Sequence, residues 1–421
     1  MLYALLLFAA AYILMLVFDR YRPWIALGCA AVFLLTGMLP AGKALEYIDF
    51  NVLLMLAGIM GTVELVIRSG LPSLLSDLLV SKVPNVKWAT VALSVFAGLV
   101  SAFIDNTATV LMLAPVAFAI AKKQGVSPVR MVIAIAVSSN LQGAATLVGD
   151  TTSILLGGYA GMDFIDFFIW RGRPGIFFAV ELGALASVGV LLVLFRRESA
   201  PVEAGARTVV RDFVPGVLLA ATVLLLIFAS LFPRRPTLTN GLICVGVMLL
   251  GAVCHALREQ KAGELLVPLR GVDWQTVLLL TGLFLMIGGI TEMGVVDAAA
   301  GLLANMGGGS LFVIYSALIW GSVVISAFID NIPYVATMLP VVRTLALGLG
   351  ADPTVLYFGL LCGATLGGNL TPIGATANVT AIGRLRKEGW TVTNRDFLSI
   401  GIPFTLAAIV PAYLYLWLVY G

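Results

Sequence analysis

Charge is scarce in this sequence. Only 11% of its 421 residues are Asp, Glu, Lys or Arg, while 60% are hydrophobic. Soluble domains average about 25% charged residues, so this chain cannot cover a water-facing surface and reads as an integral membrane protein. Histidine is nearly absent, with His255 alone at the end of an apolar run, and Cys29, Cys244, Cys254 and Cys362 lie singly with no CxxC pair. These gaps argue against a disulfide framework and against a Cys/His metal cluster. No nucleophile and base pair stands out, so no enzyme is expected, and a net charge of +3 gives no sign of nucleic-acid binding. Also missing are the alternating segments of about ten residues that build a membrane barrel, which leaves an all-α membrane fold. The stretch 1–18 lacks a basic start and a small-residue cleavage site, and reads as a first span rather than a signal peptide.

Apolar stretches near 1–18, 23–40, 49–67, 128–162, 174–195, 213–232, 237–256, 273–293, 354–383 and 398–420 predict about ten transmembrane helices. Two further stretches, 90–121 and 313–347, are interrupted by acidic knots at Asp105-Asn106 and Asp330-Asn331. Each knot leaves arms of about 15 residues, below the roughly 17 needed to span, which predicts two re-entrant hairpins. With both hairpins returning, the loops of one side carry 19 of the 25 basic residues, and Lys43, Arg171, Arg173, Arg234, Arg235 and Arg343 lie on the other. The positive-inside rule makes the first side cytoplasmic and puts both termini outside a cell (inner) membrane, with no base left in the hydrocarbon.

The two halves are copies. SAFIDN at 101–106 recurs at 326–331, and at the same offset of 225 Pro115 meets Pro340, Thr146 meets Thr371 and Gly149 meets Gly374. Asp49 and Gly70 match Asp273 and Gly294 at an offset of 224. The organisation expected is a first repeat over 1–195 (hairpin 90–121, broken helix 128–162), a cytoplasmic linker over 196–212, and a second repeat over 213–421 (hairpin 313–347, broken helix 354–383). An odd number of crossings per unit inverts the second, the plan of secondary transporters with a site at the midplane.

After each hairpin the apolar run breaks, at SSNLQGAATLVGDTTS (138–153) and GATLGGNLTPIGATAN (363–378). Unwound backbone inside lipid is tolerated where it lines a cavity, so two hairpin tips and two breaks converge on a candidate site. The acids Asp105, Asp150 and Asp330 mark it, and with no Lys or Arg in the midplane they are candidate proton or cation carriers. The competing reading for Asp105 and Asp330 is a hydrogen bond that caps the next half-helix, while Glu64, Glu181 and Glu292 read as snorkelling or capping. Asn106, Asn140, Asn331, Thr146, Thr151, Asn369, Thr371, Thr376 and Asn378 are candidate neutral ligands to the substrate. The breaks differ in chemistry, since Asp150 and Ser153 correspond to Ala375 and Asn378. Half-helix N-termini could instead greet an anion.

The SAFIDN-x8-P hairpin, the TLVGDTTS break and its partner GGNLTPIGATANV resemble the ion transporter superfamily, in particular the branch of arsenite efflux pumps, NhaD-type sodium/proton antiporters and P-protein-like permeases. The wider superfamily includes sodium-coupled citrate and dicarboxylate carriers with a Ser-Asn-Thr signature, of which Ser139-Asn140-Leu141 keeps two residues. The resemblance implies a homodimer in which the hairpin and broken-helix unit moves like an elevator against a scaffold. The expectation is a proton-coupled antiporter that exports sodium or arsenite, with sodium or protons as coupling ions and no other cofactor. The alternative is a sodium-coupled importer of a di- or tricarboxylate or an inorganic anion. A channel or a purely structural membrane protein fits less well, because neither needs paired acidic hairpins.

Overall fold

The computed structural model describes residues 1–202, 208–210, 212–232 and 235–421. Part of the expected linker, 203–207 and 211, lies outside the described residues, as do Arg207, Arg211 and Arg234 of the charge count. Among the described residues the chain is almost wholly helical, with one two-stranded ribbon, Ile169–Trp170 against Arg173–Pro174.

Long uncharged runs leave the backbone one way to satisfy itself in hydrocarbon, as helix. Five helices among the described residues are long and apolar enough to cross: Phe50–Ser69, Ile176–Leu194, Thr239–Glu259, Trp274–Glu292 and Asn394–Tyr420. Their ends are written in the sequence. Asp49 accepts the Val52 amide at 3.0 Å, and Asp273 accepts those of Gln275 and Thr276, so each starts a helix. Gly70 stops the first of these helices at φ 75°, in the left-handed region. Other expected spans are shorter or discontinuous. Leu2–Val17, Arg22–Leu35 and Val214–Ser230 have 16, 14 and 17 residues. Among the described residues two helices of ten residues or more escaped the hydropathy reading: Leu71–Val80 and Val295–Met306, each launched from a glycine with positive φ. The second meets Leu311–Ser326 at 114°.

Packing joins the halves. Phe50–Ser69 lies against Thr239–Glu259, Ile176–Leu194 against Asn394–Tyr420, and Arg22–Leu35 against Trp274–Glu292. The first of these contacts is backbone to backbone, since a Cβ at Gly58 would fall 2.3 Å from the Cys244 carbonyl carbon. Each hairpin's first arm, Val86–Ser101 or Leu311–Ser326, packs on the first half of the following broken helix, Val129–Gln142 or Thr354–Gly367.

The second arms of the hairpins are longer than their apolar runs. The second arms, Asn106–Gln124 and Asn331–Gly348, run 19 and 18 residues, because helix continues through Pro115 or Pro340 into polar or glycine ends. Length therefore does not force re-entry. A cross-arm contact shows instead that the two arms fold back on each other: Ser322 Oγ lies 2.9 Å from the Tyr334 hydroxyl. Twelve residues of continued helix would separate those Cα atoms by about 18 Å, beyond the reach of the two side chains, so the second hairpin folds back at its tip.

Each break fits tightly under its hairpin tip. A Cβ at Gly374 would fall 2.6 Å from the Gly368 carbonyl oxygen and 2.9 Å from those of Ser326 and Ala327, whereas one at Gly383 meets nothing within 4 Å. Gly374→Ala is therefore expected to cost about 1–3 kcal/mol through overpacking. A lowered apparent melting temperature for Gly374→Ala, with Gly383→Ala near wild type, is the result to look for in detergent-purified protein.

Candidate substrate site

Three carboxylates stand at helix starts and each caps the helix after it. Asp105 Oδ2 accepts from the amides of Thr107 (2.9 Å) and Ala108 (3.1 Å). Asp330 Oδ1 accepts from the Ile332 amide at 3.1 Å. Asp150 Oδ1 accepts from the Thr151 amide at 2.8 Å, and its Oδ2 accepts from the Thr152 hydroxyl at 2.7 Å. The capping role considered for Asp105 and Asp330 is therefore real, and Asp150 shares it. Ala375, at the position of Asp150, offers no side-chain cap, so the first break alone carries charge.

One expectation fails at Asp330. Arg22 Nη1 lies 3.0 Å from Asp330 Oδ2, so a base does reach a tip acid. Hydropathy assigns Arg22 to a loop because Asp19 and Arg20 precede it. In the fold it opens the short Arg22–Leu35 helix, which packs beside Trp274–Glu292 and meets the second hairpin tip.

The breaks are fastened identically to the tips. Thr146 Oγ1 donates to the Ala102 carbonyl and Thr371 Oγ1 to that of Ala327, an offset of 225 at both ends. Ser153 Oγ donates to the Gly143 carbonyl at 2.8 Å, and its counterpart Asn378 Nδ2 donates to that of Gly368 at 2.9 Å. Across the halves, Asn140 Nδ2 donates to Asn369 Oδ1 at 2.8 Å and Asn378 Oδ1 at 3.0 Å, and Asn369 Nδ2 donates to the Val137 carbonyl at 2.9 Å. These amides are buried, so each bond replaces one that water would otherwise make.

Beside this cluster lies a cavity of about 260 Å³. Of the expected residues it takes Asp105, Asn106, Asn140, Asp150, Thr151, Asn331 and Thr376. Asp330, Thr146, Asn369, Thr371 and Asn378 do not line it, and their polar groups serve the hairpins and breaks instead. Asp150 and Asn106 meet over Gly143, where a Cβ would fall 2.9 Å from Asp150 Cβ and 3.1 Å from the Asn106 amide atoms. Four lining residues were not foreseen as a site: Glu64, Thr107, Asp273 and Thr276. In the sequence Asp273 stands out only as the repeat partner of Asp49, and Glu64 only as a span-end acid, and folding shows that both also line the cavity beside the first hairpin tip. The repeat register marked Asp273 alone, as the partner of Asp49, whose carboxylate lies against the first broken helix at Gly158. Glu64 is offset by Arg68 at 2.6 Å, but no Lys, Arg, His or Cys is among the described residues that line the cavity.

The family model described as citrate transporter (CitMHS) matches residues 11–363, and the chain belongs to that family. An uncharacterized transporter of Mycobacterium tuberculosis H37Rv is 31% identical over 430 residues, covering 99% of this chain and 98% of the relative. An uncharacterized transporter of Synechocystis is 28% identical over 350 residues, 76% of this chain and 75% of its own. The human P protein is 25% identical over 456 residues, which is 88% of this chain and 54% of that longer protein. In structure the chain is similar to the Alcanivorax borkumensis YdaH transporter, with a TM-score of 0.60 at 15% identity, over 95% of this chain and 97% of the other.

Asn140→Ala removes the donor shared by Asn369 and Asn378. Leaving buried acceptors unpaired costs about 1–3 kcal/mol each, so a clear fall in apparent melting temperature is expected. An unchanged melting curve would mean that the amide cluster does not hold the two breaks together.

Proposed function

We propose that this membrane transporter of the citrate transporter family is a proton-coupled antiporter for a small cation, with Asp105 and Asp150 as the exchanging carboxylates. The observation that carries the reading is a cavity at the meeting of hairpin tip and helix break that gathers Asp105, Asp150 and Asp273, beside a Glu64 already paired with Arg68, with no basic residue among its described lining residues. Uncompensated carboxylates in a low-dielectric site are neutralised by a proton or by a cation, and competition between the two is exchange. Asn106, Asn140, Asn331, Thr151 and Thr376 add the neutral oxygens that a hard cation takes.

Sodium suits this lining better than arsenite does, because the cavity offers oxygen and no thiol, and Cys362 is buried away from it. On this reading Asp330, held by Arg22, positions the second tip rather than carrying the ion. The elevator movement, the homodimer and an inner-membrane location with both termini outside belong to the same proposal, and hairpin arms that pack on the broken helices support the first of these, since they can move as one unit. A second reading has one observation in its favour, the family's description: sodium-driven uptake of a carboxylate, which would need several cations bound with the anion to offset the acids.

In proteoliposomes, sodium flux driven by a pH gradient is expected to fall at least about tenfold for Asp105→Asn and Asp150→Asn, an order set by typical losses of a binding carboxylate. Wild-type flux in both variants would remove the proposed role. Uptake of citrate or succinate that requires external sodium would replace this reading with the second.

A further inference from the structure

A second cavity, of about 390 Å³, lies where the first broken helix ends at Ala160 and the second begins at Thr354. Its lining is basic where the central cavity's is acidic, with one carboxylate, Asp352, pairing Arg171 from just outside it. The charged residues lining it are Arg171 and Arg343, no carboxylate lines it, and Tyr159, Trp170 and Tyr357 supply aromatic faces. Arg343, on the second hairpin, lies 6.0 Å from the Tyr159 ring centroid and makes no ion pair among the described residues.

Arg171 is held there against its own backbone preference. It has φ 50°, a left-handed conformation that L-residues other than Asn and Asp seldom adopt, in the tight turn that pairs Trp170 with Arg173. Its guanidinium stacks 4.9 Å from the Trp170 ring centroid and pairs with Asp352. Asp352 in turn caps Thr354 at 2.8 Å, and the Trp170 indole donates to the Thr354 hydroxyl at 3.0 Å. The turn is thereby pinned to the start of a 14-residue helix, whose amino end adds partial positive charge. Leu347, lining the same cavity, is 71% exposed and gives it an apolar rim.

We propose that this cavity is an oxyanion site that takes a phosphate group between Arg171 and Arg343. The Arg343 fork, with the Arg171 guanidinium beside it sharing its charge between Asp352 and the cavity, matches the oxygens of a phosphate, and neighbouring tyrosines and a tryptophan are the side chains that settle at a membrane interface. The group has two sources, the headgroup of an anionic phospholipid or free phosphate, and the apolar rim suits the first. The site lies apart from the acidic cavity, and its occupancy does not depend on which ion the protein carries.

The test uses delipidated full-length protein in detergent. Melting temperature and native mass spectrometry would be followed against inorganic phosphate, short-chain phosphatidylglycerol and short-chain phosphatidylcholine. The expected result is binding and stabilisation by phosphatidylglycerol or by phosphate, weakened at least tenfold in R343Q and R171Q, with phosphatidylcholine much weaker. Stabilisation by phosphatidylglycerol alone identifies a headgroup, and equal stabilisation by phosphate identifies a soluble anion. Should R343Q not fold, R343K keeps the charge, loses the fork, and is expected to bind a few-fold more weakly. Binding that is the same in wild type and variants, or the same for phosphatidylglycerol and phosphatidylcholine, overturns the proposal, as does no binding of any probe.

Discussion

A helix interrupted inside hydrocarbon leaves backbone groups that only the protein itself can satisfy, and in this fold one buried amide, Asn140, ties both interruptions together. Its two hydrogen bonds reach Asn369 and Asn378 in the other half, and Asn369 bonds back to Val137. The Thr146 and Thr371 hydroxyls then fix each break to its hairpin tip. Everything polar at the centre is held relative to these few bonds. The cavity beside them can therefore keep carboxylates close together without the site collapsing onto itself.

The two halves share geometry and differ in charge. Ser153 and Asn378 occupy equivalent places and bond equivalent carbonyls, yet one is a hydroxyl and the other an amide long enough to reach across to Asn140. Asp150 faces the cavity where Ala375 is its counterpart. Asp105 is solely a cap and a cavity wall, while its counterpart Asp330 is ion-paired with Arg22. Two matching SAFIDN segments thus end in one tip whose acid lines the cavity and one whose acid is ion-paired, which concentrates negative charge beside the first tip.

Much of this could be read along the chain, and the exceptions share a cause. SAFIDN at 101–106 and 326–331, the matched spacing of Thr146 and Thr371, and the paired Asp49 and Asp273 recur at a near-constant offset, so they show in the chain without knowledge of the fold. The contact of Arg22 with Asp330 spans 308 residues, and no periodicity announces it. The burial of Asn369 and Asn378 in an amide cluster, rather than in the cavity wall, depends on which faces of two distant helices meet. Glu64 and Asp273 were visible as acids, but their place beside Asp105 comes from the packing of Phe50–Ser69 and Trp274–Glu292. Arm length misled for another reason: the second arms stay helical past the end of the apolar run, through Lys122 and Lys123 to Gln124 and as far as Gly348, so a count of apolar residues understates them.

The central claim is that protons and a small cation compete for the carboxylates of one acidic cavity. Calorimetric titration of sodium into purified protein, repeated in buffers of different ionisation enthalpy, counts the protons released per cation bound. Competition at Asp105 and Asp150 predicts release of about one to two protons, with apparent affinity that weakens as pH falls. Sodium that binds without releasing protons, or does not bind at any pH, would contradict the account.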